Sequence, residues 1–225
     1  MQMAAGGSSV PKSVTLNTFG TKTTDLTATY EFNYGEVIPA GSFVVICVTA
    51  RSPSFSPGTW DSVVDSAGNT FIEAVEGTQS NNLTFTAIYY SKITNSVDTG
   101  TVITANATSS EFQTAQHHSV FVLTGVNEVD NIYSSPANST NLVSASAITT
   151  NGSGIAVHAI STGLSSLASI NSISEIFVEQ SSLATGGCQQ FTATSVFEEQ
   201  SNTSIQNTFD MSVLANWASI MAIFK

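Results

Sequence analysis

Few residues in this chain have the types and spacing to do chemistry. Ala159-Ile160-Ser161-Thr162-Gly163 falls one residue short of the G-x-S-x-G nucleophile elbow. That motif needs a strand turning into a helix within an alternating βα chain, and no such alternation surrounds it, so Ser161 reads as a strand end. His117 and His118 are adjacent in an apolar stretch, which puts their side chains on opposite faces of a strand and denies them a shared metal. His158 has no Cys or carboxylate at ligand spacing. Asp61, Asp65, Asn69 and Asp130 are oxygen donors in turn-like sequence, the kind of set that can hold calcium. The D-x-[DN]-x-[DN]-G pattern is absent, however, and Asx-turns account for them. Glu198 and Glu199 point to opposite sides of a strand and form no glycosidase pair by themselves, which leaves open a distant carboxylate partner. The residues therefore predict no catalytic, cofactor-binding or metal site and call for no cofactor.

Two further sets of side chains could bind rather than react. The sequons at Asn82, Asn106, Asn138, Asn151 and Asn202 follow from the abundance of Asn, Ser and Thr, and would carry glycans only in a eukaryotic secretory setting. Tyr34, Phe55, Trp60, Tyr89, Tyr90, Tyr133 and Trp217 could include a platform on which sugars stack, although core packing accounts for most of them. A bridge between Cys47 and Cys188 would close a long loop and contribute roughly 4 to 5 kcal/mol on chain-entropy grounds. The preferred reading makes each a small buried hydrophobe.

Composition narrows the function classes. Acidic residues outnumber basic ones 16 to 5, for a net charge of -11. With only Lys12, Lys22, Arg51, Lys92 and Lys225, no basic patch can neutralise a run of phosphates, which argues against nucleic acid and against an anionic membrane surface. Charged residues make up 9% of the chain, against about a quarter in ordinary globular domains, so Ser, Thr and Asn must supply the polar surface. The N-terminus MQMAAGGSSVPKS has neither a basic n-region nor an apolar h-region, and no run of 18 apolar residues offers a membrane-spanning helix. The expectation is a protein assembled in the cytoplasm, or one trimmed of a leader.

The elements that must position these residues read as strands throughout. Residues 1–11 are small and rich in Gly and Ser, a flexible arm by composition; residues 12–225 are expected to form one β-sandwich domain. Thr27 to Tyr34 alternates Ala28, Tyr30, Phe32 and Tyr34 against polar neighbours. Ser42 to Ala50 is nearly continuously apolar, which predicts a central strand buried on both faces. Val63-Val64, the turn Asp65 to Asn69 and Phe71 to Val75 predict a hairpin. After a second turn over Glu76 to Asn82, Leu83 to Tyr90 reads as a strand with one buried and one mixed face. Gly100 to Thr108 and His117 to Val126 are further strands. Asn127 to Asn141, with Pro136, reads as a polar surface loop, and Asn151-Gly152 as the turn of a hairpin. Ser174 to Gln180, Gln190 to Glu199, Ile205 to Val213 and Trp217 to Lys225 complete the set, with Thr162 to Ser174 as the one place for a helical turn. About twelve short strands without a sustained helical period predict an all-β, two-sheet antiparallel sandwich.

The segments VVDSAGNTFIEAV, TFTAIYYSKIT, TVITANAT, SVFVLTGV and WASIMAIFK resemble, in order, a β-sandwich domain of tailed-phage virion proteins and bacterial surface proteins. That domain carries a D-x-x-G-N-x-aromatic hairpin, a strand with paired tyrosines, a T-V-T strand and an E-Y-S-G strand end, the last standing here as Val122-Leu123-Thr124-Gly125. The resemblance implies a jelly-roll-like fold and a structural or adhesive role, with no catalytic residues to carry over. The resulting expectation is a non-enzymatic virion structural protein of a tailed bacteriophage, a capsid decoration, head-fibre or tail component. Its partners would be the major capsid protein or other virion proteins, and it would form a homo-oligomer, a trimer at a three-fold site. The alternative is a polysaccharide-binding module of a bacterial surface or secreted protein, with Trp60 and Tyr133 as its contacts.

Overall fold

The computed structural model describes residues 11–22, 28–51, 58–79, 84–108, 115–149, 151–163, 168–185, 187–201 and 203–225. The expected N-terminal arm lies, apart from Pro11, outside them, as do Phe55 and most of the Arg51 to Thr59 connection. Fourteen strands and no helix occur among the described residues.

The first eight strands are β1 (Ser13–Lys22), β2 (Thr29–Asn33), β3 (Phe43–Arg51), β4 (Trp60–Asp65), β5 (Thr70–Thr78), β6 (Thr84–Lys92), β7 (Val102–Ala107) and β8 (Gln116–Thr124). They hydrogen-bond in the order β1-β8-β3-β6-β5-β4-β7-β2. Folded between β5 and β4, that order places 1-8-3-6 opposite 2-7-4-5, the strand arrangement of a jelly roll. The fold line is β5 itself: Thr70 and Phe71 pair with β4, whereas Ile72 to Thr78 pair with β6. The two layers meet again at the far edge, where Gly35 N donates to Asn17 Oδ1 (2.9 Å). Between them lies a core of Tyr30, Phe32, Tyr34, Val44, Ile46, Val48, Trp60, Phe85 and Tyr89 with their apolar neighbours. The alternation read in β2 is thus the alternation of its inward face.

The second sheet comprises β9 (Val129–Ile148), β10 (Asn151–Thr162), β11 (Ile170–Ile173), β12 (Val178–Thr185), β13 (Cys188–Ser201) and β14 (Ser204–Phe224). Their order is β11-β14-β10-β13-β12, with β9 also pairing β14. The β9–β14 ribbon turns back on itself. Between the pairs Asp210–Leu142 and Ala215–Thr140, β14 has four residues and β9 one, and a mismatch of that kind bends a ribbon sharply. In consequence Asn131 Nδ2 reaches Ile148 O (2.7 Å), though a straight strand would separate them by roughly 55 Å. The bent halves enclose a second core that includes Val143, Ala145, Phe191, Phe209, Trp217 and Met221.

The two sheets share a third apolar layer. Alternate residues of β3, β6 and β8 (Phe43, Val45, Cys47, Ile88, Phe121, Leu123) face Ile155, Val157, Ala159, Ile220, Ala222 and Phe224. β3 is therefore buried on both faces, as its continuous apolar run requires.

Several sequence expectations are corrected. Asn127 to Asn141 is not a loop; most of it is the first half of β9, whose polar outward residues hid the strand. Asn151-Gly152 does not close a hairpin: β9 and β10 each pair with β14, and Asn151 and Gly152 pair with Ser201 and Gln200 of β13. The second face of β6 is not mixed but covered by the second sheet, with Thr84, Thr86 and Ile88 all buried. Glu76 to Thr78 continue β5 rather than turning. Residues 170–173, in the one stretch with room for a helical turn, form β11 instead. The two terminal strands are one, because β14 runs through its bend without a break.

Candidate functional site

The residues singled out by type are spent on architecture. Asp65 closes the β4–β5 turn, where Gly68 supplies the positive φ of 87°. Its carboxylate accepts four hydrogen bonds: Ala67 N (3.0 Å) and Asn69 N (2.9 Å) on Oδ1, Asn69 Nδ2 (2.8 Å) and Tyr34 Oη (3.0 Å) on Oδ2. Asn69 Oδ1 in turn accepts the amides of Thr94 (2.9 Å) and Asn95 (2.9 Å). Donors already surround the carboxylate, so Asp65 is the hub of two connections and no calcium ligand. Asp130 pairs with Lys225 (3.2 Å) and accepts Thr149 Oγ1 (3.2 Å). Asp61 is exposed and lies apart from that hub.

Ser161 sits inside β10, paired on both sides, and its hydroxyl has no hydrogen-bond partner among the described residues. Asn106 spans β2, β7 and β4, accepting Thr29 Oγ1 (3.3 Å) and donating to Ser62 Oγ (3.1 Å). The side chains of Asn82, Asn138, Asn151, Asn202 and Glu199 lie outside the described residues. Cys47 and Cys188 are free and fully buried. Burial pushes both thiols up, Cys188 to about 12, so neither is poised as a nucleophile.

Each histidine is buried and neutral. His118 stacks on Phe32 (4.0 Å between centroids), with Tyr30 Oη 2.6 Å from Nδ1, and burial lowers it to about 3. His117 faces the other way, as strand alternation predicts, and donates Nε2–H to Cys188 O (3.0 Å); burial lowers it to about 4. His158 links both halves of the bent β14. Asn207 Nδ2 donates to Nδ1 (2.8 Å), so Nε2 carries the proton and donates to Ser219 Oγ (3.0 Å), which donates to Ser144 O (3.2 Å). Complete burial lowers His158 to about 3.

Beyond its apolar part, the layer between the sheets turns polar. Gln190 Nε2 donates to Thr49 Oγ1 (2.8 Å), which donates to Thr86 Oγ1 (2.7 Å). Ser119 Oγ lies 2.7 Å from Ser181 Oγ and 3.4 Å from Gln190 Oε1. Gln79 Nε2 donates to Asn216 O (2.6 Å). A satisfied buried network of this kind tolerates one docking register, since a shift would strand its polar groups.

Among the described residues, polar and apolar side chains converge along an open groove. Its broad part, about 880 Å³, is lined by Lys12, Ser42, Phe43, Gly125, Phe197 and Glu198 among others. Its narrow part, about 490 Å³, is lined by Thr70, Ile72, Tyr90, Thr94, Asn127 and Glu128 among others, and Phe43, Lys92 and Asn127 border both. The Asp65–Asn69 hub fixes one wall. The other is clamped to the last strand: Asn127 N and Glu128 N donate to Lys225 O (2.5 and 2.8 Å), and Lys225 N donates to Glu128 O (2.9 Å). Tyr90 lies between them, stacked on Phe43 (5.7 Å, 13°) and edge-on to Phe224 (6.0 Å).

Of the aromatics read as a sugar platform, Tyr34, Trp60, Tyr89 and Trp217 are core. Tyr133 packs half-buried against the second core. Among the described ones, Tyr90 alone lines the groove. Lys92 and Asn127 carried no sequence signal, because one ends β6 and the other follows β8; the one available hint was Ile72, an apolar residue on the opposite face of β5 from its neighbour Phe71.

No protein-family model matches the chain, and searches of curated proteins and of solved structures return no match. The structure bears out the β-sandwich and goes no further toward a family.

Proposed function

We propose that the chain is a structural protein of a tailed-bacteriophage virion, a capsid decoration, head-fibre or tail component that binds neighbouring capsid subunits. The observation that carries this reading is the 1-8-3-6 over 5-4-7-2 strand order, an architecture that recurs in viral shells and lectins. Three other features support it. The buried histidines and cysteines are neutral and spread through the two sheets rather than gathered in a cleft. Large apolar side chains stand singly on the surface, with Val37 at 71%, Leu214 at 69% and Val178 at 62% exposure, where docked subunits would cover them. The motif set resembles that of phage and surface domains.

Its mechanism would be mechanical: two sheets locked in one register transmit load between subunits docked on the outer faces. A homo-oligomer, with a trimer at a three-fold position, is part of the proposal. Quantitative mass spectrometry of gradient-purified particles is the test. The chain should be present in fixed stoichiometry to the major capsid protein, and absence from particles would reject the reading.

A further inference from the structure

We infer that the narrow groove binds a neutral oligosaccharide, with one pyranose ring laid on the apolar face made by Tyr90 and Ile72. Those two residues are directly opposite in the β5–β6 register, so their side chains leave the same face as neighbours about 5 Å apart. Ile72 is 60% exposed, and Tyr90 is held by Phe43 and Phe224. A ring already braced on two sides loses little freedom when a ligand covers it. The electron-rich face of a tyrosine suits the C–H face of a sugar.

Around this apolar strip stand the groups a sugar's hydroxyls require. Thr70 offers a hydroxyl, Asn127 an amide, Lys92 a donor and Glu128 an acceptor, while the Thr94 hydroxyl, which already donates to Asn69 Oδ1 (3.3 Å), can accept. Both walls are preformed, one by the Asp65–Asn69 hub and one by the Lys225 clamp, and the volume lies within the range of small-molecule sites.

Charge decides between ligand classes. The chain carries a net charge of -11, and Glu128 and Glu198 border the groove beside Lys12 and Lys92. A polyanion is therefore repelled at long range and gains no net attraction on arrival. A neutral ligand with many hydroxyls can use both signs. The inference does not depend on where the protein is deployed, on a particle or on a cell surface.

The test is native affinity electrophoresis of the full chain through gels containing dextran, mannan, galactan or starch, with polygalacturonate as the anionic comparison. At least one neutral polymer should retard the protein, and polygalacturonate should not. Ile72→Asp, at an exposed position, should weaken that retardation at least tenfold, and Tyr90→Ala likewise; Leu214→Asp, away from the groove, should leave it unchanged. Because Tyr90→Ala removes part of a packed stack, Ile72→Asp and Asn127→Ala carry the decision if that variant does not fold. Retardation by none of the neutral polymers, retardation by the anionic one alone, or binding indifferent to Ile72→Asp and Asn127→Ala would each overturn the inference.

Discussion

Mild acid should destabilise this protein well before its carboxylates are protonated, and three histidines set the size of the effect. His117, His118 and His158 are held neutral, lowered to about 4, 3 and 3, whereas in the unfolded chain each titrates near 6.5. A folded pKa below the unfolded one means that unfolding takes up protons, so stability falls as pH drops below the unfolded value. Between pH 7 and pH 5 each histidine costs about 2 kcal/mol, or about 6 kcal/mol for the three. Glu76 works the other way. Burial raises it to about 8, so its protonated form favours the fold as pH falls, by about 1 kcal/mol once its partial exposure is discounted. The net loss of about 5 kcal/mol compares with a total stability of roughly 5 to 15 kcal/mol for a typical domain. His158 should resist protonation through geometry as well as burial. A proton on Nδ1 would face the Asn207 amide donor, and turning that amide would sacrifice its bond from Ser174 N (3.4 Å). Urea unfolding followed by tryptophan fluorescence at pH 7, 6 and 5 measures the loss. His158→Gln should be less stable at pH 7 yet lose about 2 kcal/mol less on going to pH 5. A midpoint unchanged between pH 7 and 5, or a pH dependence undiminished by replacing each histidine in turn, would refute the reasoning.

Removing the Asp65 carboxylate should cost on the order of 4 kcal/mol, because it strands Tyr34 Oη and two backbone amides and leaves Asn69 Nδ2 with only its bond to Asn95 O (3.1 Å); chemical denaturation of Asp65→Ala checks this, with Asp65→Asn expected to cost less. Gly77→Val should destabilise by about 1 to 3 kcal/mol, since a Cβ there would meet Ile220 Cγ2 at 2.6 Å and Ser134 Oγ at 3.1 Å; the thermal midpoint reads it. Glu76→Gln should stabilise the fold at pH 8 and above by about 1 kcal/mol and flatten the alkaline limb of the stability profile.

What could be read from the sequence was local. The Asp65 to Asn69 turn announces itself because its hydrogen bonds close within five residues, and β3 because it is apolar on both faces from Phe43 to Val48. The first half of β9 was hidden because it is rich in polar residues, Asn131, Ser134 and Ser135 among them, and because its partner is the distant second half of β14, with Asn131 opposite Ile223 and Ser135 opposite Ser219. The Asn151-Gly152 turn signal lost to the same competitor: β14 inserts between β9 and β10, and its apolar second half outweighs a two-residue preference. For β6, the outer face of Thr84, Thr86 and Ile88 looked like a surface because the sheet that covers it comes later in the chain. The groove was illegible for a related reason, since its floor and walls come from β3, β6, the β4–β5 turn and the segment after β8. β3, β6 and the β4–β5 turn meet within the first sheet, and the fourth piece is fixed only when the final residue clamps Asn127.

The claim that the chain is a shell component is tested most directly by add-back: particles from a phage deleted for this gene are incubated with rising amounts of the purified protein, and bound copies are counted. Saturable binding at a fixed ratio to the major capsid protein, with a higher temperature of particle rupture, is the predicted result. Failure to bind such particles, together with absence of the chain from wild-type virions, would contradict it.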